Sequence, residues 1–301
     1  MLDLVSRRLI YFLLSLVVIV PGLISLALPP HLRLGIDFSE GSVLLLHFDR
    51  PVEAAQVRGA LTELGYPNHE VYRAVEQDSF FIRLPYLDLV EKDRVEAALQ
   101  DRLGPLQELE FQTVAAKTAR ATLGNAAIAI LAAAVGILLY VAWAFRRLKK
   151  PWRYGVCAII ALVHDVLVVL GLFSLLGRFL GVQVDTWFIV GILAVVGYSV
   201  NNTVVVYDRI RENTARGISR DYGLVVNQSI VESLVRSINT SLTTLFVVLA
   251  LFLFGGETIR YFTLVFIIGI TAGTYSSLFI SSQLLVVWER RQWGRLWTRT
   301  A

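Results

Sequence analysis

The sequence predicts an α-helical membrane protein with six transmembrane helices and a small α+β domain between the first two. Hydrophobic residues make up 55% of the 301 residues and charged residues only 17%, against roughly 25% charged residues in soluble domains. The mean hydropathy is +0.62. Apolar runs long enough to cross a bilayer recur along the chain, and only the interval 31–120 has the residue pattern of a soluble domain.

The composition excludes several classes of protein. A chain this apolar and this poor in charge is not an ordinary soluble enzyme, a disordered tail or a fibrous repeat. Cys157 is the single cysteine, so no internal disulfide can form. The four histidines (His31, His47, His69 and His164) are scattered and form no His/Cys cluster with metal-ligand spacing. We therefore expect neither a metal site nor a cofactor.

The first apolar run, Leu9–Leu28, is long enough to cross a membrane, for which about 20 residues are needed. Pro21 interrupts it, and membrane helices tolerate proline. A cleaved signal peptide is the alternative, but its apolar region spans only roughly 7–15 residues and ends in small residues. This run is longer and ends in Pro29 and Pro30. We expect an uncleaved membrane anchor.

Five further apolar runs follow the interval 31–120. The fifth span is short, and the amphipathic segment Val225–Ile238 before it is expected to lead helically into it. A short loop, Gly177–Asp185, joins the third and fourth spans. The predicted spans two to six are Ala121–Phe145, Tyr154–Leu176, Thr186–Tyr207, Asn239–Phe254 and Tyr261–Val287.

Basic residues predict the orientation of the chain. With six spans, all four basic clusters fall on one side of the membrane, and only Arg178 and Arg260 lie in connections on the other side. Short cytoplasmic loops are enriched in Lys and Arg. We therefore expect a multi-pass protein of the cell inner membrane, with both termini in the cytoplasm and the interval 31–120 on the opposite side. Nucleic acid binding is not expected, since the basic residues adjoin apolar spans. The clusters are Arg7 and Arg8; Arg146, Arg147, Lys149, Lys150 and Arg153; Arg209, Arg211, Arg216 and Arg220; and Arg290, Arg291, Arg295 and Arg299.

Charge also divides the chain into parts. Residues 31–120 contain 15 acidic and 10 basic residues, a net charge of −5, whereas the rest contains 9 acidic and 18 basic residues, a net charge of +9. The predicted division is an N-terminus with the first helix (1–30), a soluble domain (31–120), helices two to six (121–288) and a cytoplasmic tail (289–301).

The interval 31–120 has soluble chemistry. Its apolar pattern predicts strand, helix, strand, strand, helix, strand, with Gln77, Asp78 and Ser79 in the turn between the middle strands. That order is the split βαβ or ferredoxin-like arrangement, in which both helices cover one face of a four-stranded antiparallel sheet. Many functions use this fold, and no catalytic Ser/His/Asp or paired-carboxylate arrangement is apparent. The elements are Val43–Phe48, Val52–Leu64, Val71–Val75, Phe80–Leu84, Val90–Leu103 and Leu106–Val114.

Polar residues interrupt the third and fourth spans. An ionisable side chain at the bilayer centre costs about 2.5–3.5 kcal/mol on insertion scales. Asp165 lies near the middle of the third span, where it either ties helices together by hydrogen bonds or takes part in moving protons or ions. Ser199, Asn202 and Thr203 share one face of the fourth span at spacings i, i+3 and i+4, beside Asn201, and are expected to bond a neighbouring helix.

The fifth and sixth spans carry two further signals. Arg236 stands at the entrance of the fifth span, where an arginine can snorkel to the interface. The polar residues that follow it indicate a hydrated or tightly packed seam. Gly269 and Gly273 form a GxxxG pattern, which is typical of close helix packing. The polar run comprises Ser237, Asn239, Thr240, Ser241, Thr243 and Thr244.

Several blocks are similar to the SecF family of the bacterial protein-export machinery, within the RND superfamily. Residues 35–41, GIDFSEG, resemble the family's GIDF(T/S)GG signature through Gly35 and Asp37, with Glu40 where the family has glycine. Residues 163–166, VHDV, match a second block. The longest and most specific match is residues 197–213, GYSVNNTVVVYDRIREN, which include Asp208 and Arg209 and are close to GYSxNDTVVVFDRIREN. Residues 236–245 and 254–256 also fit.

The resemblance implies a six-helix subunit that pairs with a SecD-like subunit in the lipid bilayer. Such a pair uses the proton gradient to help pull unfolded exported polypeptides out of the SecYEG channel. Family members carry a membrane carboxylate and an arginine at the positions of Asn202 and Arg236, so the carboxylate is absent here. Either Asn202 is a substitution that stalls the cycle, or this subunit leaves proton transfer to its partner.

The resemblance and the residue pattern together assign two groups of site residues. Asp165, Asn202 and Arg236 are the expected proton or ion pathway. The residues expected to pack or couple the helices are Ser199, Asn201, Thr203, Gly269 and Gly273.

Three other function classes are alternatives. Half of a small-molecule RND exporter would share polar membrane helices, but by resemblance such exporters have much larger soluble inserts. An intramembrane enzyme needs a nucleophile and base, or metal ligands at a spacing such as HExxH, and His164 and Asp165 are the only adjacent pair. We do not expect an enzyme. A structural scaffold of another membrane complex stays an alternative. Proton flux measured with and without SecD distinguishes a transporter from such a scaffold.

Overall fold

The computed structural model describes residues 3–74, 78–148, 150–256 and 259–290. The chain forms two compact units, one of residues up to Arg33 together with Ile128 onward, the other Leu34–Ala127. Within the described ranges, six helices are long and apolar enough to cross a membrane, which agrees with the predicted number. Val75 and Gln77 of the predicted strand and turn, Lys149, and the tail with Arg291, Arg295 and Arg299 lie outside the described residues.

Helix α1 (Arg8–Ala27) is the first membrane span and leads to the unit Leu34–Ala127. That unit has the predicted order of strands and helices. The sheet order is β2-β3-β1-β4, and every neighbouring pair is antiparallel. The elements are β1 (Gly41–Phe48), α2 (Ala54–Glu63), β2 (Glu70–Arg73), β3 (Ser79–Leu84), α3 (Leu89–Leu103) and β4 (Leu106–Val114).

One face of this sheet carries both helices. Alternate residues of β1 and β3 are buried, as the period of two in a half-covered sheet requires. Asp88 and Glu91 form a capping box that starts α3, and Glu53 and Gln56 do the same for α2. The shared core comprises Leu44, Leu46, Phe80 and Ile82 from the sheet and Val57, Leu61, Val95 and Leu99 from the helices.

Five further membrane helices follow. The last crossing is interrupted by a π-helical segment, Ser277–Ser281, in which the chain makes a wider turn than an α-helix. The helices are α4 (Ala116–Ala144), α5 (Trp152–Leu180), α6 (Thr186–Arg216), α7 (Tyr222–Phe254), α8 (Arg260–Ser276) and, after the π segment, α9 (Ser282–Glu289).

Helices α6 and α7 extend furthest beyond their predicted apolar spans. Helix α6 continues past Tyr207 to Arg216, and α7 begins at Tyr222, so the amphipathic segment Val225–Ile238 leads helically into the fifth span as expected. The additional turns of α6 are polar, and ion pairs at helical spacing, such as Arg216 with Glu212 at 2.5 Å, support them. An apolar window cannot detect such turns. The loop after α5 is likewise shorter than predicted, because the helix ends only at Gly181, whose φ of +73° suits a glycine C-cap.

Candidate functional site

The carboxylate of Asp165 lies inside the membrane unit, with no surface exposed to solvent. Three polar side chains lie within hydrogen-bond distance of it. The Ser199 hydroxyl of α6 donates to Oδ2 at 2.5 Å, and the Ser276 hydroxyl of α8 donates to the same oxygen at 2.8 Å. Oδ1 lies 2.9 Å from Nδ1 of His164. The carboxylate therefore joins α5, α6 and α8.

His164 extends this network to α1. Its Nε2 lies 2.9 Å from the Ser15 hydroxyl, and the ring is buried. The Tyr275 ring stacks beside it, with 6.1 Å between ring centroids, and the Tyr275 hydroxyl donates to the backbone carbonyl of Tyr11 at 2.6 Å. Four helices thus meet at two ionisable side chains.

Asn202 belongs to a second polar cluster on another side of α6. Its buried side-chain amide donates to the Ser241 hydroxyl of α7 at 3.4 Å and to the Thr274 hydroxyl of α8 at 3.5 Å. Ser241 and Thr274 are 2.5 Å apart. The cluster contains amide and hydroxyl groups only, so it can order helices and bind water but holds no titratable proton.

The predicted common face of Ser199, Asn202 and Thr203 is present only in part. Thr203 donates to the backbone carbonyl of Ser199 at 3.1 Å, one turn away. Ser199, however, turns to Asp165 while Asn202 turns to α7 and α8. Residues three apart on a helix are offset by about 60° around its axis. Ser199 and Asn202 therefore point in different directions and belong to different clusters. Asn201 is exposed on the outside of α6.

Two glycines let α6 and α8 approach closely. A Cβ added to Gly269 would lie 2.0 Å from a methyl carbon of Val195, and one added to Gly273 would lie 2.9 Å from the Ser199 Cβ. Any larger residue at Gly273 would therefore displace the serine that donates to Asp165. The GxxxG pattern lies at this contact, and its close approach positions a member of the site.

Arg236 lies apart from both clusters. It is exposed on α7, and within the described part of the chain it forms no ion pair. Because α7 begins at Tyr222, Arg236 lies within a continuous helix, and its place at the entrance of the fifth span stays a prediction. It precedes Ser241 by five residues, or about 7.5 Å along the axis. A single subunit thus brings together Asp165 and Ser199, and separately Asn202 and Ser241, but leaves Arg236 facing outward.

The family-motif residues occupy two different places. Gly35 precedes a short 3-10 turn, Ile36–Phe38, that contains Asp37 and leads into β1. Asp208 pairs with Arg211 at 2.5 Å near the end of α6. Arg209 contacts Glu232 of α7 at 2.6 Å and so ties α6 to α7.

Three members of the Asp165 network are not found by sequence reasoning. Ser15, Ser276 and Tyr275 are ordinary residues in apolar spans, and only the folded arrangement shows that they meet His164 and Asp165. Among the residues that the structure describes, no group of three His, Cys, Asp or Glu side chains could hold a metal ion.

Comparison with known proteins places this architecture in a family. The family described as "Protein export membrane protein SecD/SecF, C-terminal" matches residues 94–291. The protein translocase subunit SecF of Thermobaculum terrenum is 44% identical over 100% of this chain and 98% of its own length. That of Anaerolinea thermophila is 39% identical over the same shares.

A solved structure agrees with these sequences. The crystal structure of SecDF from Thermus thermophilus matches with a TM-score of 0.74 and 34% identity, over 95% of this chain and 37% of that chain. A second SecDF crystal structure, in a super-membrane-facing form, matches with a TM-score of 0.63 and 32% identity, over 96% of this chain and 39% of that one. With six spans, the GYSVNNTVVVYDRIREN block and full-length relatives in common, the chain belongs to the SecF family of protein translocase subunits.

Proposed function

We propose that this chain is one subunit of a proton-driven accessory motor that works with a SecD-like subunit to assist polypeptide export through the SecYEG channel. The observation that carries the proposal is the outward polar face of α7, which consists of Arg236, Asn239, Thr240 and Thr243. All four are exposed, although they lie in a helix that is long and apolar enough to span the membrane.

Lipid is a poor environment for this outward polar face. Near the bilayer centre an arginine costs about 2.5–3.5 kcal/mol on insertion scales, and such residues normally face a protein interior or a hydrated cavity. A second membrane subunit that covers α7 and presents a carboxylate to Arg236 removes that cost. The matching relative from Thermus thermophilus is named SecDF, of which this chain covers 34%, and a SecD-like subunit is the partner that fits.

The basic clusters support an orientation with both termini in the cytoplasm of a bacterial cell. In that orientation the ferredoxin-like unit Leu34–Ala127 lies outside the cytoplasm, where an exported polypeptide emerges. Labelling of introduced cysteines from each side tests this arrangement in a Cys157→Ser background, since Cys157 is the one cysteine of the chain. Labelling of the two termini from opposite faces would contradict it.

The motor needs a proton-dependent change of helix packing. Asp165 and Asn202 lie on different sides of α6, and α8 contacts both clusters through Ser276 and Thr274. A change of charge at the hydrogen-bonded pair of His164 and Asp165 alters the strength of the hydrogen bonds that Ser199 and Ser276 donate, and so shifts the populations of two arrangements of α6 and α8. Asn202 contributes no proton, and a carboxylate of the partner would face Arg236.

The test is proton-dependent export in proteoliposomes that contain SecYEG, this chain and its SecD-like partner. Asn202→Asp restores a carboxylate beside Ser241 and is expected to restore or raise proton flux and export. Arg236→Ala should abolish the proton dependence, and Arg236→Lys should retain part of it. If flux and export are unchanged in Asn202→Asp, position 202 has no role in the cycle. If wild-type flux is the same with and without the partner, the motor proposal fails.

A structural scaffold is the second candidate, and Asn202 favours it because an asparagine cannot titrate. A scaffold needs the outward polar face of α7 for assembly but needs no proton. Arg236→Ala would then disrupt co-purification with the SecD-like partner, while export by the wild-type complex would not respond to a proton gradient.

A further inference from the structure

We propose that His164 is the proton-binding group of this chain, with Asp165 as its fixed counter-anion and Ser15 as the residue that transmits the change to α1. The inference rests on the proposed function as a proton-driven subunit. It supplies within this chain the titratable site that Asn202 cannot provide. The evidence is the set of hydrogen bonds around the two side chains and the absence of a competing cation among the residues that the structure describes.

The hydrogen bonds match an ionised carboxylate. Oδ1 of Asp165 meets the His164 ring, and Oδ2 accepts from the hydroxyls of Ser199 and Ser276. An ionised carboxylate only accepts hydrogen bonds, whereas a protonated one must also donate. A proton bound by the pair can lie on either group, because a carboxyl Oδ1–H could donate to Nδ1 of the other ring tautomer, but on the ring it leaves all three bonds of the carboxylate unchanged. Proton binding by the ring requires only that the Ser15 hydroxyl change its role, since Nε2 faces this single hydroxyl, which can either donate or accept.

The charges favour the same assignment. A buried carboxylate without a cation is costly, and a hydrogen-bonded opposite charge offsets that cost. Nδ1 of His164 lies 2.9 Å from Asp165, a contact that becomes an ion pair only when the ring is protonated, and no lysine or arginine in the described ranges pairs with the carboxylate. The other groups that face the pair are neutral: Ser15 and the Tyr11 carbonyl from α1, Ser199 from α6, and Ser276 and Tyr275 from α8. An imidazolium beside Asp165 therefore makes the buried pair neutral.

The proton step changes one hydrogen bond. In the unloaded state the ring is neutral, its Nδ1–H donates to Asp165, and its Nε2 accepts from the Ser15 hydroxyl. An incoming proton binds the lone pair of Nε2, and the new N–H then donates to the Ser15 oxygen. The Ser15 hydrogen turns to another acceptor, and the charge of the pair changes from −1 to 0. Loss of the same proton from Nε2 restores the first state, so one proton enters and one leaves.

Ring nitrogen NMR tests the assignment directly. The full chain is labelled with ¹⁵N-histidine and reconstituted with its SecD-like partner. The sequence has only four histidines, so the His164 signals are those that His164→Gln removes. In the wild type, both ring nitrogens should carry a proton at the acidic end of the pH range over which flux occurs. In Asp165→Asn, His164 should stay singly protonated over that range. A wild-type ring that never gains its second proton, with a protonated Asp165 carboxyl band in the infrared instead, would overturn the inference.

Flux measurements give an independent test with a matched control. His164→Gln should lower proton flux at least tenfold, and Ser15→Ala should lower it several-fold. Ser25→Ala is the control, because Ser25 also lies on α1 and bonds Ser174 of α5 at 2.8 Å but does not touch the pair. Its flux should equal that of the wild type. Equal losses in Ser15→Ala and Ser25→Ala would mean that Ser15 only packs α1 against α5.

The outcomes separate this inference from the proposed function. If the wild-type complex carries no proton flux, the motor itself fails. If the wild type carries flux and a folded His164→Gln carries as much, only the assignment of His164 fails. Thermal unfolding of each variant shows whether it is folded. If His164→Gln is not, a variant that lacks His31, His47 and His69 identifies the His164 signals instead, and the NMR titration still decides the question.

Discussion

Replacing Gly269 with alanine should force α6 and α8 apart. The added Cβ would lie 2.0, 2.6 and 2.8 Å from three side-chain carbons of Val195, well inside van der Waals contact. Overpacking of this kind costs about 1–3 kcal/mol. The expected loss of Tm is on the order of 2–4 °C for each kcal/mol, the sensitivity of domains of 150–250 residues.

The assay is thermal unfolding of the purified full chain in detergent, followed by tryptophan fluorescence. Val195→Ala removes two of the clashing carbons, so the double variant should regain part of the loss, with a coupling energy of about 0.5–3 kcal/mol. Gly197→Ala on α6 is the control, since its Cβ would meet nothing within 4 Å, and it should be neutral or slightly stabilising. A wild-type Tm for Gly269→Ala, or strictly additive losses in the double variant, would refute the close packing of α6 on α8.

Two further predictions concern other parts of the chain. Burial, together with the neighbouring Glu108 carboxyl group, raises the pKa of Glu96 from 4.5 to about 7. A carboxyl whose pKa is higher in the folded state stabilises that state fully below the unfolded value and loses its contribution as the pH rises through the folded value. Hydrogen-exchange protection of α3, corrected for the intrinsic rate, should therefore fall between pH 4.5 and about 7 in the wild type and not in Glu96→Gln. The Asn227 Oδ1 accepts from the backbone N–H groups of residues 4 and 5 at 2.7 and 3.2 Å, so Asn227→Ala should cost about 1–3 kcal/mol and speed the exchange of those two amides, whereas Asn239→Ala on the same helix should not.

Hydropathy locates all six crossings because a bilayer imposes a length and an apolar composition on each one. It misses the polar C-terminal turns of α6, where ion pairs such as Arg216 with Glu212 at 2.5 Å support the helix beyond the apolar run, whereas the amphipathic pattern of Val225–Ile238 indicates the helical lead-in of α7. The soluble topology is predictable because the strand and helix periods differ, and the observed element order agrees with the expectation.

Asp165 is the one member of its hydrogen-bond network that the energetic cost of burial in a membrane makes predictable from the sequence. The free-energy cost of an aspartate in a membrane span is enough to single out Asp165 and to expect it inside the bundle. The hydrogen-bond partners in this network cannot be predicted in the same way, since Ser276 lies 111 residues from Asp165 along the chain and Ser15 lies 149 residues from His164. Serines are common in membrane helices, and one sequence contains no signal that pairs them. The outward position of Arg236 likewise depends on how α7 rotates about its axis when it packs.

The two helices that enter and leave the unit Leu34–Ala127 are held unequally in the membrane unit. Helix α1 crosses α5 where Gly22 meets Gly171, and a Cβ built at Gly22 would lie 2.6 Å from the Gly171 Cα. Helix α4 contributes Val141 and Phe145, near its C-terminal end, to the buried core. Exposed apolar residues in the part of α4 that precedes Val141 include Ile128, Leu131, Val135 and Leu139.

Lipid chains solvate such an apolar surface about as well as a neighbouring helix does. Helix α4 can therefore change its tilt with little loss of favourable contacts, whereas α1 cannot leave α5 without opening the glycine crossing. Within the membrane unit, close packing therefore holds α1 against α5, whereas α4 is held mainly near its C-terminal end.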